Sequence, residues 1–204
     1  KMSFQRHDLV WLNSEFNYSP ELNGWVMQKL PCIVTRQTNP TPNYLNIAWC
    51  NGMDKKVSRH SCLIPIQSII SHTVPLPLIN IAQYFVTEVT SLIKMIRKLE
   101  QLNFKPCIYG SFSWQILTQK NYIHDNSDLD VLLHVATYNQ LGYILTLLDD
   151  LAMISGRRVD GELIFPDSCA VAWREWFSDS DKVLCKSFSE VKFVHRKVLL
   201  EQLA

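Results

Sequence analysis

The sequence has almost no net charge, because 20 Lys and Arg residues are balanced by 19 Asp and Glu residues, leaving a formal charge of +1. Charged residues make up 19% of its 204 residues and hydrophobic residues 47%. A protein that binds nucleic acid through phosphate contacts normally has a clearly basic surface, so we expect no nucleic-acid partner. The hydrophobic fraction is close to that of folded globular proteins, which excludes a largely disordered chain.

The sequence also lacks an uninterrupted apolar segment. No Asp, Glu, Lys or Arg occurs between Arg59 and Glu88, but Pro65, Pro75 and Pro77 interrupt this stretch. A membrane-spanning helix requires about 20 predominantly apolar residues, and prolines in its interior would break it. The first residues have no apolar core of the signal-peptide kind. We therefore expect a cytoplasmic protein with no membrane partner.

The six cysteines form no Cys-x-x-Cys pair and no regular pattern. They are Cys32, Cys50, Cys62, Cys107, Cys169 and Cys185. A disulfide framework or a zinc site would need closer, patterned spacing. Most of the cysteines have apolar neighbours, which predicts reduced, buried thiols as in a cytoplasmic protein.

Short apolar runs separated by turn residues characterise the first part of the chain. The runs lie at residues 9–12, 24–27, 31–34 and 45–49, and Pro, Asn and Gly residues separate them. Runs of this length between turn signals are typical of strands. The pattern predicts a small strand-rich domain over residues 1–78.

From residue 79 onwards the hydrophobic period changes. Apolar residues at steps of three and four predict an amphipathic helix over 81–102. Further helices are predicted over 111–120, 137–153 and 169–177, and strands over 107–109, 129–135, 159–165 and 182–195. The order predicts an α+β fold with α/β-like alternation, in which residues 79–204 form a mixed sheet flanked by helices.

Two carboxylates open the strand predicted over 129–135. Residues i and i+2 of a strand face the same side, so Asp128 and Asp130 project together. Like charges at this spacing repel each other unless a cation neutralises them, and Mg²⁺ prefers carboxylates combined with substrate phosphates. A solvated turn is the alternative interpretation, because Asp-x-Asp alone is a common pattern.

Gly110 and Ser111 lie between a short apolar strand and a predicted helix. Such a strand-to-helix turn exposes backbone N–H groups and a hydroxyl to an anion, and glycine allows phosphate to approach the backbone closely. An ordinary helix-capping serine is the alternative. The order of strand, Gly-Ser, helix and a second strand opening with Asp-x-Asp resembles the nucleotidyltransferase superfamily of the DNA polymerase β-like fold.

The resemblance implies a third carboxylate on a neighbouring strand. Asp160 and Glu162 are both candidates, since they are two residues apart on one predicted strand. The sequence leaves this choice open, and we favour Asp160.

A longer series of motifs narrows the resemblance to one family. RHDLVWL at residues 6–12, YGSFSWQILT at 109–118, DGEL at 160–163 and AVAWRE at 170–175 occur in this order. In combination they resemble the phosphoribosyl-dephospho-CoA transferase of malonate decarboxylase, also called malonate decarboxylase holo-[acyl-carrier-protein] synthase. The similarity covers nearly the whole chain.

The resemblance implies a nucleotidyl transfer with an unusual donor and acceptor. The donor is 2'-(5''-triphosphoribosyl)-3'-dephospho-CoA, the acceptor is a serine hydroxyl of the apo acyl-carrier subunit of malonate decarboxylase, and diphosphate is released. The resemblance further implies two Mg²⁺ ions, which Mn²⁺ could replace. Asp128, Asp130 and Asp160 would hold them. Gly110 and Ser111 would hold the departing diphosphate.

Basic residues would complete the phosphate site. Arg174 and Lys186 are the candidates, although Arg174 could instead lie beside Glu175 on a solvated helix face and Lys186 could be surface charge.

Lys55, Lys56 and Arg59 form a second basic cluster. This cluster is the candidate surface for docking an acidic carrier protein.

Two other functions remain open from the sequence. One is a nucleotidyltransferase of the same fold that acts on another hydroxyl acceptor, such as an antibiotic, a protein or RNA. The other is a non-catalytic binding domain.

Overall fold

The computed structural model describes residues 3–53 and 56–204, and it describes the side chains of these residues except those within 52–57. In the predicted docking cluster, Lys55 and the side chain of Lys56 therefore lie outside the described residues.

The chain divides into two compact units. The first consists of the described residues through Pro75, together with Trp114–Tyr122 and Ser187–Glu190. The second consists of Leu76–Ser113, Ile123–Lys186 and Val191–Ala204. The units are therefore not continuous in sequence, and the domain boundary predicted at residue 78 stays a prediction.

The first unit contains a five-stranded antiparallel sheet with the order β4-β3-β2-β1-β5. The strands are β1 (Leu9–Leu12), β2 (Cys32–Val34), β3 (Tyr44–Met53), β4 (Lys56–Pro65) and β5 (Ile69–Thr73). A 3₁₀ turn at Ile66–Ser68 connects β4 to β5. The alternation of buried and less buried residues along β3 leaves Leu45, Ile47 and Trp49 in the core.

One predicted strand of this unit is a helix instead. Residues 24–27 belong to helix α1 (Pro20–Met27), so the prediction for this run is wrong. The helix begins because the Ser19 side chain accepts a hydrogen bond from the Leu22 N–H and Pro20 occupies the first turn. Trp25 is buried and donates its indole N–H to the Pro31 carbonyl at 3.0 Å.

The second unit contains a seven-stranded mixed sheet with the order β12-β11-β10-β9-β8-β7-β6. The strands are β6 (Leu76–Pro77), β7 (Cys107–Tyr109), β8 (Leu129–His134), β9 (Val159–Ile164), β10 (Ala170–Ala172), β11 (Lys182–Lys186) and β12 (Val191–His195). The helices of this unit are α2 (Val89–Gln101), the first turn of α3 (Gly110–Thr118), α4 (Tyr138–Ser155), α5 (Trp173–Trp176) and α6 (Arg196–Leu200), while α3 from Trp114 onwards belongs to the first unit. This architecture confirms the predicted α+β class.

Strands β8 and β9 run parallel, and all other paired strands that the structure describes run antiparallel. A parallel pair needs a crossover connection, which is helix α4 here. A capping box begins this helix, since the side chains of Thr137 and Gln140 each accept a hydrogen bond from the other's backbone N–H. Gly156 ends the helix in the left-handed conformation.

Helix α2 begins eight residues later than the sequence predicts. Residues Leu78–Tyr84 form a 3₁₀ helix, and the α-helix starts only at Val89. Leu78 and Ile81 are both buried, and their spacing of three residues matches the three-residue turn of a 3₁₀ helix. None of the described helices is long and apolar enough to cross a membrane.

The helix predicted over 169–177 is also largely wrong. Its first half is strand β10, because the buried run from Cys169 to Val171 pairs with β9. Ser168 has a φ of 65° and cannot adopt the extended conformation of a helix-capping residue. Only the short helix α5 remains.

Two of the six cysteines form a disulfide, which corrects the expectation that all of them are reduced. Cys169 and Cys185 are bonded across β10 and β11, with their Cα atoms 5.4 Å apart. The antiparallel pairing of Ala170 with Lys186 brings the two cysteines together. Their separation of 16 residues in sequence gives no sign of this register.

The four free cysteines are expected to react slowly with a thiol reagent in the native protein. They are Cys32, Cys50, Cys62 and Cys107. Burial raises the pKa of each thiol, so the reactive thiolate is scarce at neutral pH and the rate should increase as the pH rises. Titration with a chromogenic disulfide should count four thiols after unfolding and six after reduction. Six thiols without reduction would contradict the disulfide.

Candidate active site

Asp130 is the centre of the candidate site, since it has a functional neighbour on each side. In the sheet it pairs with Tyr109 at the end of β7 and with Asp160 on β9. Asp128 immediately precedes β8. The structure thus places Asp130 and Asp160 side by side near the start of the parallel strands, with Asp128 in the loop just before β8.

Gly110 lies directly against the Asp130 carboxylate. A Cβ atom at position 110 would be 2.0 Å from Oδ2 of Asp130, and the φ of 68° at this residue also favours glycine. Helix α3 begins here, and Ser111 is half-buried in its first turn. Backbone N–H groups at the start of a helix attract anions. The start of a helix and a carboxylate therefore meet at this point.

Asp160 is held at the start of β9 by the residue that follows it. Its Oδ1 atom accepts a hydrogen bond of 2.9 Å from the Gly161 N–H. Gly161 itself packs against β8, since a Cβ atom there would be 1.9 Å from the Val131 carbonyl oxygen. The lack of a side chain at Gly161 thus allows the close approach of β8 and β9.

Arg158 is a neighbour of the carboxylates that no motif in the sequence indicates. Its Nη1 atom is 3.8 Å from Oδ2 of Asp128, and its Nη2 atom is 3.5 Å from Oδ2 of Asp160. One guanidinium therefore bridges both carboxylates, which neutralises part of their mutual repulsion.

Glu162, the other candidate for the third carboxylate, has a different environment. It is 6% exposed, and its Oε1 atom is 3.3 Å from Nζ of Lys186. This ion pair assigns Glu162 a partner on β11, whereas Asp160 is next to Asp130. The positions favour Asp160 as the third carboxylate, which stays a prediction.

Substitution distinguishes these two carboxylates. Asp160→Asn is expected to reduce transfer by about 100-fold or more without changing the free energy of unfolding, because a half-exposed acid near the reacting atoms is lost. Glu162→Gln is expected to lower the free energy of unfolding by about 1 kcal/mol, because the ion pair with Lys186 is lost. Urea unfolding and a transfer assay on both variants test the assignment, and the reverse pattern would make Glu162 the functional acid.

The two predicted phosphate-binding residues are both close to β9. Arg174 is exposed, donates from Nη2 to the Val159 carbonyl at 2.9 Å and stacks on the Trp173 ring at 4.2 Å. Its guanidinium therefore lies beside the residue that precedes Asp160. Lys186 contacts Glu162. The proposed contacts of both residues with phosphate stay predictions.

The chemistry of these side chains fits Mg²⁺. Within residues 3–53 and 56–204, no three His, Cys, Asp or Glu side chains are grouped closely enough to hold a metal ion by themselves. However, Mg²⁺ usually binds to proteins through one or two carboxylates together with substrate phosphates. Asp128 and Asp160 already share one cation, the guanidinium of Arg158. The site thus offers carboxylates next to an anion-binding turn, and it leaves further ligand positions for substrate.

Arg157 fixes the loop that leads into Asp128. Its Nη1 atom donates to the carbonyls of His124, Asp125 and Ser127 at 2.8, 3.3 and 3.1 Å. Its guanidinium also lies 5.5 Å from the ring centre of Phe112, which is buried in α3. Arg157 therefore connects the loop before β8 to the helix that begins at Gly110. The sequence gives no signal for this role, since the contacts depend on tertiary structure.

Replacement of Arg157 by Met is expected to reduce the turnover number of transfer by about 10- to 100-fold, because a shift of the Asp128 loop by even 1 Å misaligns reacting groups. The Michaelis constant for the donor should change much less. Arg157→Lys should recover part of the activity, since an ammonium can still donate to backbone carbonyls. Steady-state kinetics and thermal unfolding separate the two effects, and a loss of activity that only follows a loss of folded protein would contradict the positioning role.

Comparison with known proteins gives two family matches. Residues 80–197 match the family model of the phosphoribosyl-dephospho-CoA transferase MdcG C-terminal domain. Residues 5–75 match that of the phosphoribosyl-dephospho-CoA transferase MdcG N-terminal domain. Together these matches include all the residues of the candidate site.

Curated proteins named phosphoribosyl-dephospho-CoA transferase are similar to the chain. Those of Xanthomonas euvesicatoria and Xanthomonas axonopodis are each 30% identical over 203 residues, which covers 95% of this chain and 95% of theirs. The protein of Bradyrhizobium diazoefficiens is 34% identical over 89 residues, which covers 44% of this chain and 39% of its own. No solved structure matches the chain significantly.

Proposed function

Since the chain belongs to the phosphoribosyl-dephospho-CoA transferase family, we propose that it attaches the prosthetic group of malonate decarboxylase. In this reaction the phosphoribosyl-dephospho-CoA group passes from 2'-(5''-triphosphoribosyl)-3'-dephospho-CoA to a serine of the apo acyl-carrier subunit, and diphosphate leaves. The observation that carries the proposal is the contact between the Gly110 backbone and the Asp130 carboxylate. It places the start of helix α3, where an anion would bind, next to the acidic residues at the start of β8 and β9.

The transfer forms one bond to phosphorus and breaks another. The serine oxygen attacks the α-phosphorus, the bond from that phosphorus to the oxygen of the β-phosphate breaks, and diphosphate departs on the opposite side. The proton of the serine hydroxyl passes to a base. Asp160 is half-exposed at the start of β9, so it can accept this proton from an acceptor that approaches from solvent.

The acidic residues have a second role in the proposal. Asp128, Asp130 and Asp160 would hold two Mg²⁺ ions, which Mn²⁺ could replace. The metal would supply positive charge against the negative charge of the triphosphate. The side chains of Asp128 and Asp160 already face one cation together, which supports this assignment.

The diphosphate would be held by the turn at the end of β7. Backbone N–H groups at the start of α3 would face the diphosphate, and Ser111 can donate its hydroxyl. Arg174 is close enough to β9 to bind a phosphate with two parallel hydrogen bonds, although it would have to release the Val159 carbonyl. Lys186 would add positive charge while it keeps Glu162 neutralised.

The reaction tests the proposal directly. Purified protein is incubated with Mg²⁺, the triphosphoribosyl donor and the apo acyl-carrier subunit, and the carrier is weighed by intact-protein mass spectrometry. The carrier should gain the mass of one phosphoribosyl-dephospho-CoA group, and a carrier with its acceptor serine replaced by Ala should gain nothing. Labelling of another hydroxyl acceptor from ATP or CTP, with no transfer to the carrier, would favour a different nucleotidyltransferase.

We also propose that the protein acts in the cytoplasm. The carrier would need a surface of this protein on which to dock. Arg59 is an exposed basic residue on β4, and we infer that it contributes to the surface that meets the acidic carrier.

A further inference from the structure

The guanidinium of Arg158 occupies the place between two carboxylates that the proposed function assigns to a metal ion. Its two terminal nitrogens contact one oxygen each of Asp128 and Asp160, at 3.8 and 3.5 Å. Asp128 lies in the loop just before β8 and Asp160 lies on β9, so one side chain holds together two separate parts of the chain. Arg158 immediately precedes β9, and its own carbonyl accepts a hydrogen bond of 2.9 Å from the Leu129 N–H. This hydrogen bond holds the backbone of Arg158 in place, but it does not restrain the side chain.

The contacts of the side chain are easily exchanged. The Arg158 side chain is 60% exposed, and the side chains of Asp128 and Asp160 are 33% and 35% exposed. Ion pairs between exposed groups contribute little to stability, because water and salt compete for both partners. A second cation with higher charge would therefore displace the guanidinium from these oxygens.

The released guanidinium would remain close to the site. Arg158 is two residues before Asp160, Asp160 pairs with Asp130, and Asp130 pairs with Tyr109 next to Gly110, so a ligand bound there would lie two strands away. Guanidinium groups bind phosphates with two parallel hydrogen bonds, which is a better match than the single contacts that Arg158 makes with the carboxylates.

We propose that Arg158 is an exchangeable counter-ion: it neutralises Asp128 and Asp160 before a metal ion binds, and it turns to the phosphates of the donor when the metal takes its place. This inference rests on the proposed function. It adds a donor-binding residue that none of the sequence motifs contains. It also explains how two acids can be kept together in the unliganded protein without a large repulsion.

Binding measurements test the exchange without an activity assay. Mn²⁺ is titrated into the protein and free Mn²⁺ is followed by electron paramagnetic resonance, and inorganic diphosphate is then titrated at saturating Mn²⁺. Arg158→Gln should bind Mn²⁺ about 3- to 10-fold more tightly than the wild type, because the competing cation is gone. The same variant should bind diphosphate about 10-fold more weakly, because a charged phosphate contact is lost.

Arg97→Gln is the matched control, since it removes the same charge from an exposed position on α2. It should change neither affinity by more than about 2-fold. The exchange is overturned if Arg158→Gln behaves like this control towards Mn²⁺, or if it binds diphosphate as well as the wild type does. If the wild type binds no Mn²⁺, both the exchange and the metal site are wrong. If the expected affinities are found but the carrier is not modified, the exchange stands and the proposed function fails.

Discussion

Replacing Asp130 with Asn is expected to reduce transfer to the carrier by roughly 1,000-fold or more, which corresponds to about 4 kcal/mol of transition-state stabilisation. Asp130 lies between the Gly110 turn and Asp160, so it is the acid closest to all the proposed reacting groups. Asparagine has nearly the same shape but no negative charge. The variant should therefore fold normally while it loses its affinity for a divalent cation.

The mass of the carrier after a timed incubation measures the effect. Asp149→Asn is a suitable control, because it makes the same change at an exposed position on helix α4. It should keep activity within about 2-fold of the wild type. Circular dichroism and thermal unfolding of both variants show whether they fold. If folded Asp130→Asn keeps more than a tenth of the activity, the catalytic assignment of this edge of the sheet is wrong.

The substitution Gly161→Ala is expected to lower the free energy of unfolding by about 4 kcal/mol or more, the largest effect on stability that we predict. A Cβ atom at this position would lie 1.9 Å from the carbonyl oxygen and 2.8 Å from the carbonyl carbon of Val131. These atoms belong to the backbone of β8 and cannot move aside like the end of a flexible side chain. The φ of 147° at Gly161 adds conformational strain for alanine.

Helix α4 provides a control for the glycine substitution. Gly142 lies within this helix, and a Cβ atom there would have nothing within 4 Å. Gly142→Ala should therefore raise the free energy of unfolding by about 0.5–1 kcal/mol, because alanine loses less conformational freedom in a helix. Urea unfolding of both variants gives the comparison. If Gly161→Ala is as stable as the wild type, the close approach of β8 and β9 is wrong; if it does not fold at all, the expectation is met in its strongest form.

The parts of the fold that the sequence predicts are those with a local cause. Helix α4 is one example, since its capping box and its apolar period depend only on its own 18 residues and on Thr137 before them. Strands β7, β8 and β9 are others, because each is a short apolar run between turn residues. The helix predicted over 169–177 fails because the buried run pairs with β9, and this pairing is a tertiary contact. The disulfide of Cys169 and Cys185 depends on register in the same way.

The candidate site shows the same division. The alternation of side chains along a strand predicts that Asp128 and Asp130 project together, and this stays a prediction because Asp128 precedes β8. It cannot place Asp160, whose position next to Asp130 follows from the parallel register of β8 and β9. The sequence gives no signal for Arg157, because its partners are backbone carbonyls about 30 residues away, or for the contact of Arg158 with Asp128, which is equally distant in sequence. Whether these residues act as proposed stays a prediction that the substitutions above decide.

The crossover through α4 has a consequence for the maturation of this protein during synthesis. The chain emerges from the ribosome with β7, α3 and β8 well before β9, so the Gly110 turn and the first two acids are available early. Asp160 and Arg158 join them only after 18 helical residues have folded back over the sheet. A chain released before residue 158 would therefore carry Asp128 and Asp130 without Arg158 and Asp160, and the candidate phosphate-binding residues Arg174 and Lys186 follow later still.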